Sequence, residues 1–448
     1  MEFGIVSREI IKPSSPGLHL LKPFQLSFLD QLIPNAAFVP LILFYRIKDN
    51  AHFNNLHISA KLKKSLSDTL NSLYPVSGRV KNNLFIDDFE QGVPYIEAHV
   101  GSRMSDFLQH PKPELLNQFV PFQPQESNAE SIALLAIQLN VFDCGSVALG
   151  MVASHKIFDG STLSLFLKSW VAASRGCHDN VVHPRMFEGA LRFPPDESLL
   201  KKYISFAESS WFNQGKYKMM RFVFDARAIA TLKGKAKSEN VVNPTRIDAM
   251  TGFIWKSILA ASKKPSVGAY KPSMFVQAVN IREKMMPPLS SNFIGNGFLW
   301  ASAVCDFANI DAELHEHVIL LREAYAKTES FLNVHRGDTR LQGISEYLKS
   351  LEEISKENPE DFCFSSWLNF GFGEADFGWG KPVWVGLVGE IGAMVRSSIV
   401  FQKADWNAGG IETWITLREK EMEILENDPD FLQYASPNPS IIIPSDCL

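Results

Sequence analysis

A chain of 448 residues with 46% hydrophobic content is long enough for about two to three ordinary domains with sizeable cores, and too apolar for extended disorder. Its 44 Lys and Arg are interleaved with 49 Asp and Glu for a net charge of -5, which leaves no basic face suited to a nucleic-acid backbone but allows local basic patches for a phosphorylated cofactor. The cysteines, Cys144, Cys177, Cys305, Cys363 and Cys447, are odd in number, scattered and without a Cys-x-x-Cys pair, so a reducing compartment and no structural zinc are expected. The N-terminus lacks the basic and apolar regions of a signal peptide, and no run of about 18 apolar residues suggests a membrane span, so a soluble cytoplasmic protein is expected.

In chain order, Ile5 to Ile11 reads as an opening strand stopped by Lys12-Pro13-Ser14-Ser15-Pro16, and Phe38 to Tyr45 as a central strand. Leu62, Leu66, Leu70 and Leu73 share one face of a helix over Ser59 to Leu73, which Tyr74-Pro75 ends because proline cannot continue it. Short strands follow at Leu84 to Ile86 and Pro94 to Ala98. Ile132 to Phe142 is apolar enough for a buried strand, and Asp143-Cys144-Gly145 turns it back into another, Val147 to Ala153. Next comes Ser154-His155-Lys156-Ile157-Phe158-Asp159-Gly160, then Ser161 to Ala173, where Leu163, Phe166, Leu167 and Trp170 recur at helical spacing.

Residues 174–216 lose periodicity and gather Gly176, Pro184, Pro194, Pro195 and Gly215. A stretch that long without its own core reads as a crossover between domains, giving an N-terminal domain over 1–190, a linker over 191–219 and a C-terminal domain over 220–448. The second half offers strands at Met220 to Phe224, Phe275 to Asn280, Leu299 to Val304, Trp384 to Val388, Ser397 to Phe401 and Ile411 to Thr416. Its helices are predicted at Asp225 to Lys237, Asp248 to Ala261, Ala312 to Lys327 and Leu417 to Glu426. Strands and helices alternate without the regular spacing of a Rossmann unit, so the expected class is α/β with mixed sheets and flanking helices.

A histidine carried from a strand end into a tight turn is held by scaffold yet reachable, which suits a catalytic group, although a packed histidine is the commoner use of such a position. Asp159 would either orient the His155 ring or hold the turn through an ion pair. The His155-x-x-x-Asp159-Gly160 segment (HXXXD) near one third of the chain, with Asp376-Phe377-Gly378-Trp379-Gly380 (DFGWG) late in it, resembles the plant BAHD family of CoA-dependent acyltransferases. Further segments look like family counterparts in the family's order: Ser27 to Gln31, Tyr74-Pro75 with Gly78-Arg79, Gln277 to Arg282, Met286 to Leu289, Ser365-Ser366-Trp367 and Gly410 to Trp414. Within the family they look closest to the vinorine synthase-like group of alkaloid acetyltransferases.

That resemblance implies two chloramphenicol-acetyltransferase-like domains flanking a channel with His155 at its middle, and a chain that crosses back late, so that Phe364 to Phe377 joins the first domain's sheet. It implies a monomer acting on an acyl-CoA donor, acetyl-CoA first, and a small-molecule alcohol. The expected reaction is transfer to a hydroxyl of a plant specialised metabolite, an alkaloid first, with terpenoid or phenolic acceptors and malonyl or aromatic donors as alternatives. No permanently bound cofactor, metal, nucleic acid or membrane is expected. His155 would be the general base, and Asp159 would pair with Arg282 to fix the turn.

The resemblance further assigns Ser365 and Trp367 as oxyanion or acceptor contacts, with plain packing as the rival reading of Trp367. Asp376, Gly378, Trp379 and Gly380 would form a structural turn away from the chemistry. Thr245 and Arg246 match a segment the family places near CoA, weighed equally against a plain helix cap; the family usually has Glu where Asp248 stands. Asn292 to Gly297 departs from the Tyr-Phe-Gly-Asn-Cys of anthocyanin malonyltransferases, which disfavours flavonoid acceptors. Phe298, Trp300, Trp384 and Phe401 are candidates to line a pocket, or core. Two rivals stay in view: a cation held by His155 and Asp159 were they on one helix, which Gly160 and the preceding strand oppose, and a non-catalytic binding protein on the same fold. His315 and His317 read as part of a charged helix surface.

Overall fold

A strand covered on both faces needs apolar residues throughout, and Val147–Ser154 is buried at every position. In the computed structural model, which describes residues 1–47, 55–121, 132–177, 184–209, 211, 215–263, 271–305, 312–334, 337–388 and 397–442, this strand lies inside a mixed six-stranded sheet. The spatial order is Phe3–Ile11, Val93–Val100, Leu135–Phe142, Val147–Ser154, Phe38–Tyr45 and Trp384–Gly386. Val93–Val100 and Leu135–Phe142 run parallel and the other neighbours antiparallel. Helices Asn55–Ser72 and Gly160–Ser174 pack together, and the Trp170 indole donates to Leu62 O at 3.3 Å and Ser65 Oγ at 3.1 Å.

A seven-stranded sheet follows the order Phe298–Cys305, Ser273–Asn280, Glu360–Ser366, Ser398–Lys403, Ile411–Arg418, Tyr217–Phe224 and Ser436–Pro437. Phe275, Phe364 and Ile415 of this sheet share a core with Trp255 of the helix Arg246–Ser262 and Val318 of the helix Leu314–Val334. A small three-stranded sheet joins Phe24–Gln25, Phe85–Asp87 and Arg79–Lys81. The expected mixed α/β class is what the chain adopts.

Three expectations are corrected, and one helix is added. The stretch read as structureless holds helices Glu188–Arg192 and Glu197–Ser209; the latter starts after Pro194-Pro195, where Asp196 Oδ1 accepts from Leu199 N at 2.9 Å, and buries Tyr203. Those prolines stand before the helix, where they do no harm, rather than inside it. The helix Arg340–Ser355 was not anticipated, although Ile344, Leu348 and Leu351 give it one buried face. The strand Glu360–Ser366 lies parallel to its neighbours in the second sheet, while Phe372, Ala375 and Phe377 pack into the first core and Trp384–Gly386 is the segment that reaches the first sheet. His317 is fully buried, edge-on to Trp255 at 5.6 Å, because it faces the neighbouring helix rather than solvent. Cys447 lies outside the described residues.

Candidate active site

His155 directly follows the strand Val147–Ser154, and its backbone N–H donates to Ala37 O at 2.8 Å. Four residues on, the Asp159 side chain caps the helix Gly160–Ser174 by accepting from Thr162 N at 2.8 Å. The turn between them is pinned by burial of Ile157 and Phe158, so the histidine is set between a strand end and a helix start. Asp159 does not touch the imidazole. Arg282 grips it in bidentate fashion, Nη1 to Oδ2 at 2.6 Å and Nη2 to Oδ1 at 2.9 Å, and Gly297 N adds a bond to Oδ2 at 3.0 Å. Both partners are buried. A Cβ on Gly297 would stand 2.7 Å from Arg282 Nη1, so only glycine lets the guanidinium pass. Burial alone would raise the Asp159 carboxyl; the Arg282 charge and the surrounding donors outweigh it and hold the group below the usual 3.8.

His155 opens onto a cavity of about 590 Å³ whose lining draws Phe38 and Val39 from the first sheet and Ser365, Ser398 and Val400 from the second. Its Nδ1 lies 3.1 Å from Asn296 Oδ1. Burial pushes the imidazole below its ordinary 6.5, opposed by its hydrogen bonds and the Asp159 charge, so the ring is neutral and basic at pH 7. The ring of Trp211 stands edge-on at 5.0 Å and that of Phe298 at 5.8 Å. Trp211, Phe298 and Trp300 also border a second cavity of about 310 Å³, lined by apolar residues such as Leu29, Ile344 and Leu348.

Ser365 and Trp367 both line the larger cavity, but they do not act as separate donors. The Trp367 indole donates to Ser365 Oγ at 3.2 Å, which leaves the Ser365 O–H to point elsewhere. Thr245 is the N-cap of Arg246–Ser262 in a capping box with Asp248, whose carboxylate also pairs with Arg322 at 3.0 Å. Thr245 borders the cavity; Arg246 is exposed and outside its lining. Asp376 Oδ1 accepts from Gly378 N at 2.8 Å and Gly380 N at 2.9 Å, Arg175 closes on Oδ2 at 2.6 Å, and Trp379 stacks on Phe377 at 5.7 Å, all away from the cavity. Phe298 and Trp300 line the cavities, whereas Trp384 and Phe401 are core: Trp384 is stacked between Phe44 and Trp414.

Sequence reasoning passed over Trp211, Lys156 and Asn296. Trp211 lay in a stretch read as linker, and Asn296 in one weighed only for its departure from a malonyltransferase motif. Lys156, beside the histidine, is fully buried and pulled down to about 7 by that burial. Among the described residues, no group of three or more His, Cys, Asp or Glu is arranged to hold a metal, and no helix is long and apolar enough to cross a membrane.

A family model described as Transferase family matches residues 1–432. Akuammiline synthase 2 of Alstonia scholaris is 36% identical over 451 residues, covering 100% of this chain and 99% of that protein. Limonoid 7-O-acetyltransferase of Citrus sinensis is 34% identical over 467 residues, covering 98% of this chain and 99% of that one. Among solved structures, that of vinorine synthase superposes with a TM-score of 0.81 at 30% identity, covering 97% of this chain and 99% of that chain.

Proposed function

Because the chain belongs to the BAHD Transferase family of acyltransferases, we propose that it moves an acetyl group from acetyl-CoA to a hydroxyl of a plant alkaloid, with His155 as general base. An alcohol attacks a thioester carbonyl poorly until its proton is taken in the transition state, and a neutral imidazole is suited to take it near pH 7. The acceptor oxygen bonds to the carbonyl carbon, the oxyanion collapses, and the CoA sulfur leaves. The imidazolium then returns the proton to the thiolate, and no covalent enzyme intermediate is needed. The observation that carries this reading is a histidine set between a strand end and a helix start at the wall of a cavity of about 590 Å³ that both sheets line.

The Ser365 hydroxyl, its oxygen engaged by the Trp367 indole, is the donor for the oxyanion; a bond accepted from an indole polarises the O–H for donation. The Thr245 oxygen caps the helix by accepting from Asp248 N, and the exposed Arg246 guanidinium, beside a helix N-terminus that favours anions, is the charged group there for a CoA phosphate. A terpenoid acceptor is the second reading, favoured by the limonoid acetyltransferase relative and by the apolar second cavity. The discriminating experiment follows free CoA thiol from acetyl-CoA with separate pools of alkaloid and limonoid alcohols. Thiol release with one pool and an acetyl ester by mass identifies the acceptor class; malonyl or aromatic donors outperforming acetyl-CoA would overturn the donor assignment. Release with neither pool and no donor would return the chain to the non-catalytic binding reading.

A further inference from the structure

We propose that Asp30 and Asn296 are positioning residues for the reaction: the Asp30 carboxylate orients the Asn296 carboxamide, and Asn296 in turn holds His155 as the Nδ1–H tautomer, leaving Nε2 to take the acceptor's proton. The inference rests on His155 being the base. Its geometry begins with the amide. Asn296 is buried, and its Nδ2 lies 2.9 Å from Asp30 Oδ1, 2.9 Å from His155 O and 3.1 Å from Lys156 O. All three are acceptors, so the NH₂ must occupy that side and the amide oxygen must face the imidazole. An amide oxygen at 3.1 Å from Nδ1 can only accept, which places the ring proton on Nδ1 and the lone pair on Nε2.

Asp30 is built for this purpose from three elements. Its Oδ1 accepts from Asn296 N at 2.7 Å and from Asn296 Nδ2, while Oδ2 accepts from Ser27 N at 3.0 Å and Ser27 Oγ at 2.6 Å. Burial raises the Asp30 carboxyl above its usual 3.8, and the four donors on its two oxygens oppose that rise and favour the anion, which can only accept. Lys156 holds the segment that carries it. The buried Lys156 Nζ donates to Asp30 O at 3.3 Å, to Ile33 O, and to Asn83 Oδ1 at 2.6 Å, tying the residue next to the base to the short helix Phe28–Gln31. The charged groups acting on the His155 and Lys156 pair are thus Asp159, with its Arg282, together with Asp30 and Glu208.

The test reads the tautomer directly. In the full chain labelled with ¹⁵N-histidine, long-range ¹H–¹⁵N spectra should show His155, assigned by its loss in His155→Ala, with a protonated Nδ1 and a bare Nε2. Asn296→Ala should move it to a mixture or to Nε2–H and lower kcat by about 10²-fold while the acetyl-CoA KM stays within about twofold. Asn296→Ser gives the same readout where the alanine variant does not fold. Asp30→Asn should shift the tautomer likewise. A His155 that stays Nδ1–H in both Asn296→Ala and Asp30→Asn would overturn the proposal. Because the spectra need no turnover, an inactive wild type would count against acyl transfer and not against the relay.

Discussion

Asp159 meets three demands with one carboxylate: it caps the helix Gly160–Ser174, closes the bidentate pair with Arg282 and accepts from the Gly297 backbone. Asp159→Asn keeps a capping oxygen but strands the buried Arg282 charge, so it should cost about 3–5 kcal/mol in denaturant unfolding at pH 7. The native carboxyl sits below 3.8, so its contribution is full above that pH and is lost as the pH falls through the folded value; the wild-type advantage over Asp159→Asn should close only below pH 3.8. An advantage that vanished well above it would contradict the ion pair. His155 titrates below 6.5, so the acid limb of kcat/KM should have its midpoint under that value. Ser365→Ala should lower kcat by about 10²-fold with little change in KM, as loss of an oxyanion donor does. His155 and Asp159 were singled out because motif and chemistry coincide there, and Arg282 only because the family resemblance points to it. Asn296 was not, since its partners Asp30 and His155 lie 266 and 141 residues away in sequence.

At the scale of elements, the strand Val147–Ser154 is aimed by its neighbours on both sides and by a close crossing. Gly150 faces the segment Pro113–Phe119, and a Cβ there would sit 1.9 Å from Phe119 O. Gly150→Ala should therefore destabilise the protein and displace the end of the strand that delivers His155. A melting temperature and kcat both at the wild-type level would show that the crossing does not hold the strand. Strands with continuous apolar runs, and helices such as Gly160–Ser174 with a regular apolar stripe, could be placed from sequence to within a few residues. The 174–216 stretch could not. Its prolines dominate the local pattern, and what makes Glu197–Ser209 and Trp211 matter is packing against Tyr347, Trp300 and His155, which sequence neighbours do not reveal.

Across the whole molecule, the sheets are joined by a buried charge. Arg221 and Glu412 are both fully buried in the second sheet, and Glu412 also accepts from the indoles of Trp406 at 3.2 Å and of Trp384 at 3.0 Å, the latter on the last strand of the first sheet. Arg221 further donates to Asn438 Oδ1 at 3.1 Å and to Pro439 O, binding the late chain to the same point. Glu412→Leu should leave Arg221 unpaired and cost about 3–5 kcal/mol, with the cavity between the sheets loosened; double substitution with Arg221→Met should recover part of that loss. No recovery would mean that the indole contacts, not the ion pair, carry the effect. This latch was hidden in sequence because its members come from strands at 217–224, 384–386 and 411–418, whereas the mixed-sheet class followed from local pattern alone. The most direct test of the account as a whole is acceptor-dependent release of CoA thiol by His155→Ala beside the wild type, with matched melting temperatures. A fall of about 10²–10⁴-fold in kcat is the result predicted for a lost general base, and turnover that survives the substitution would contradict the role given to His155.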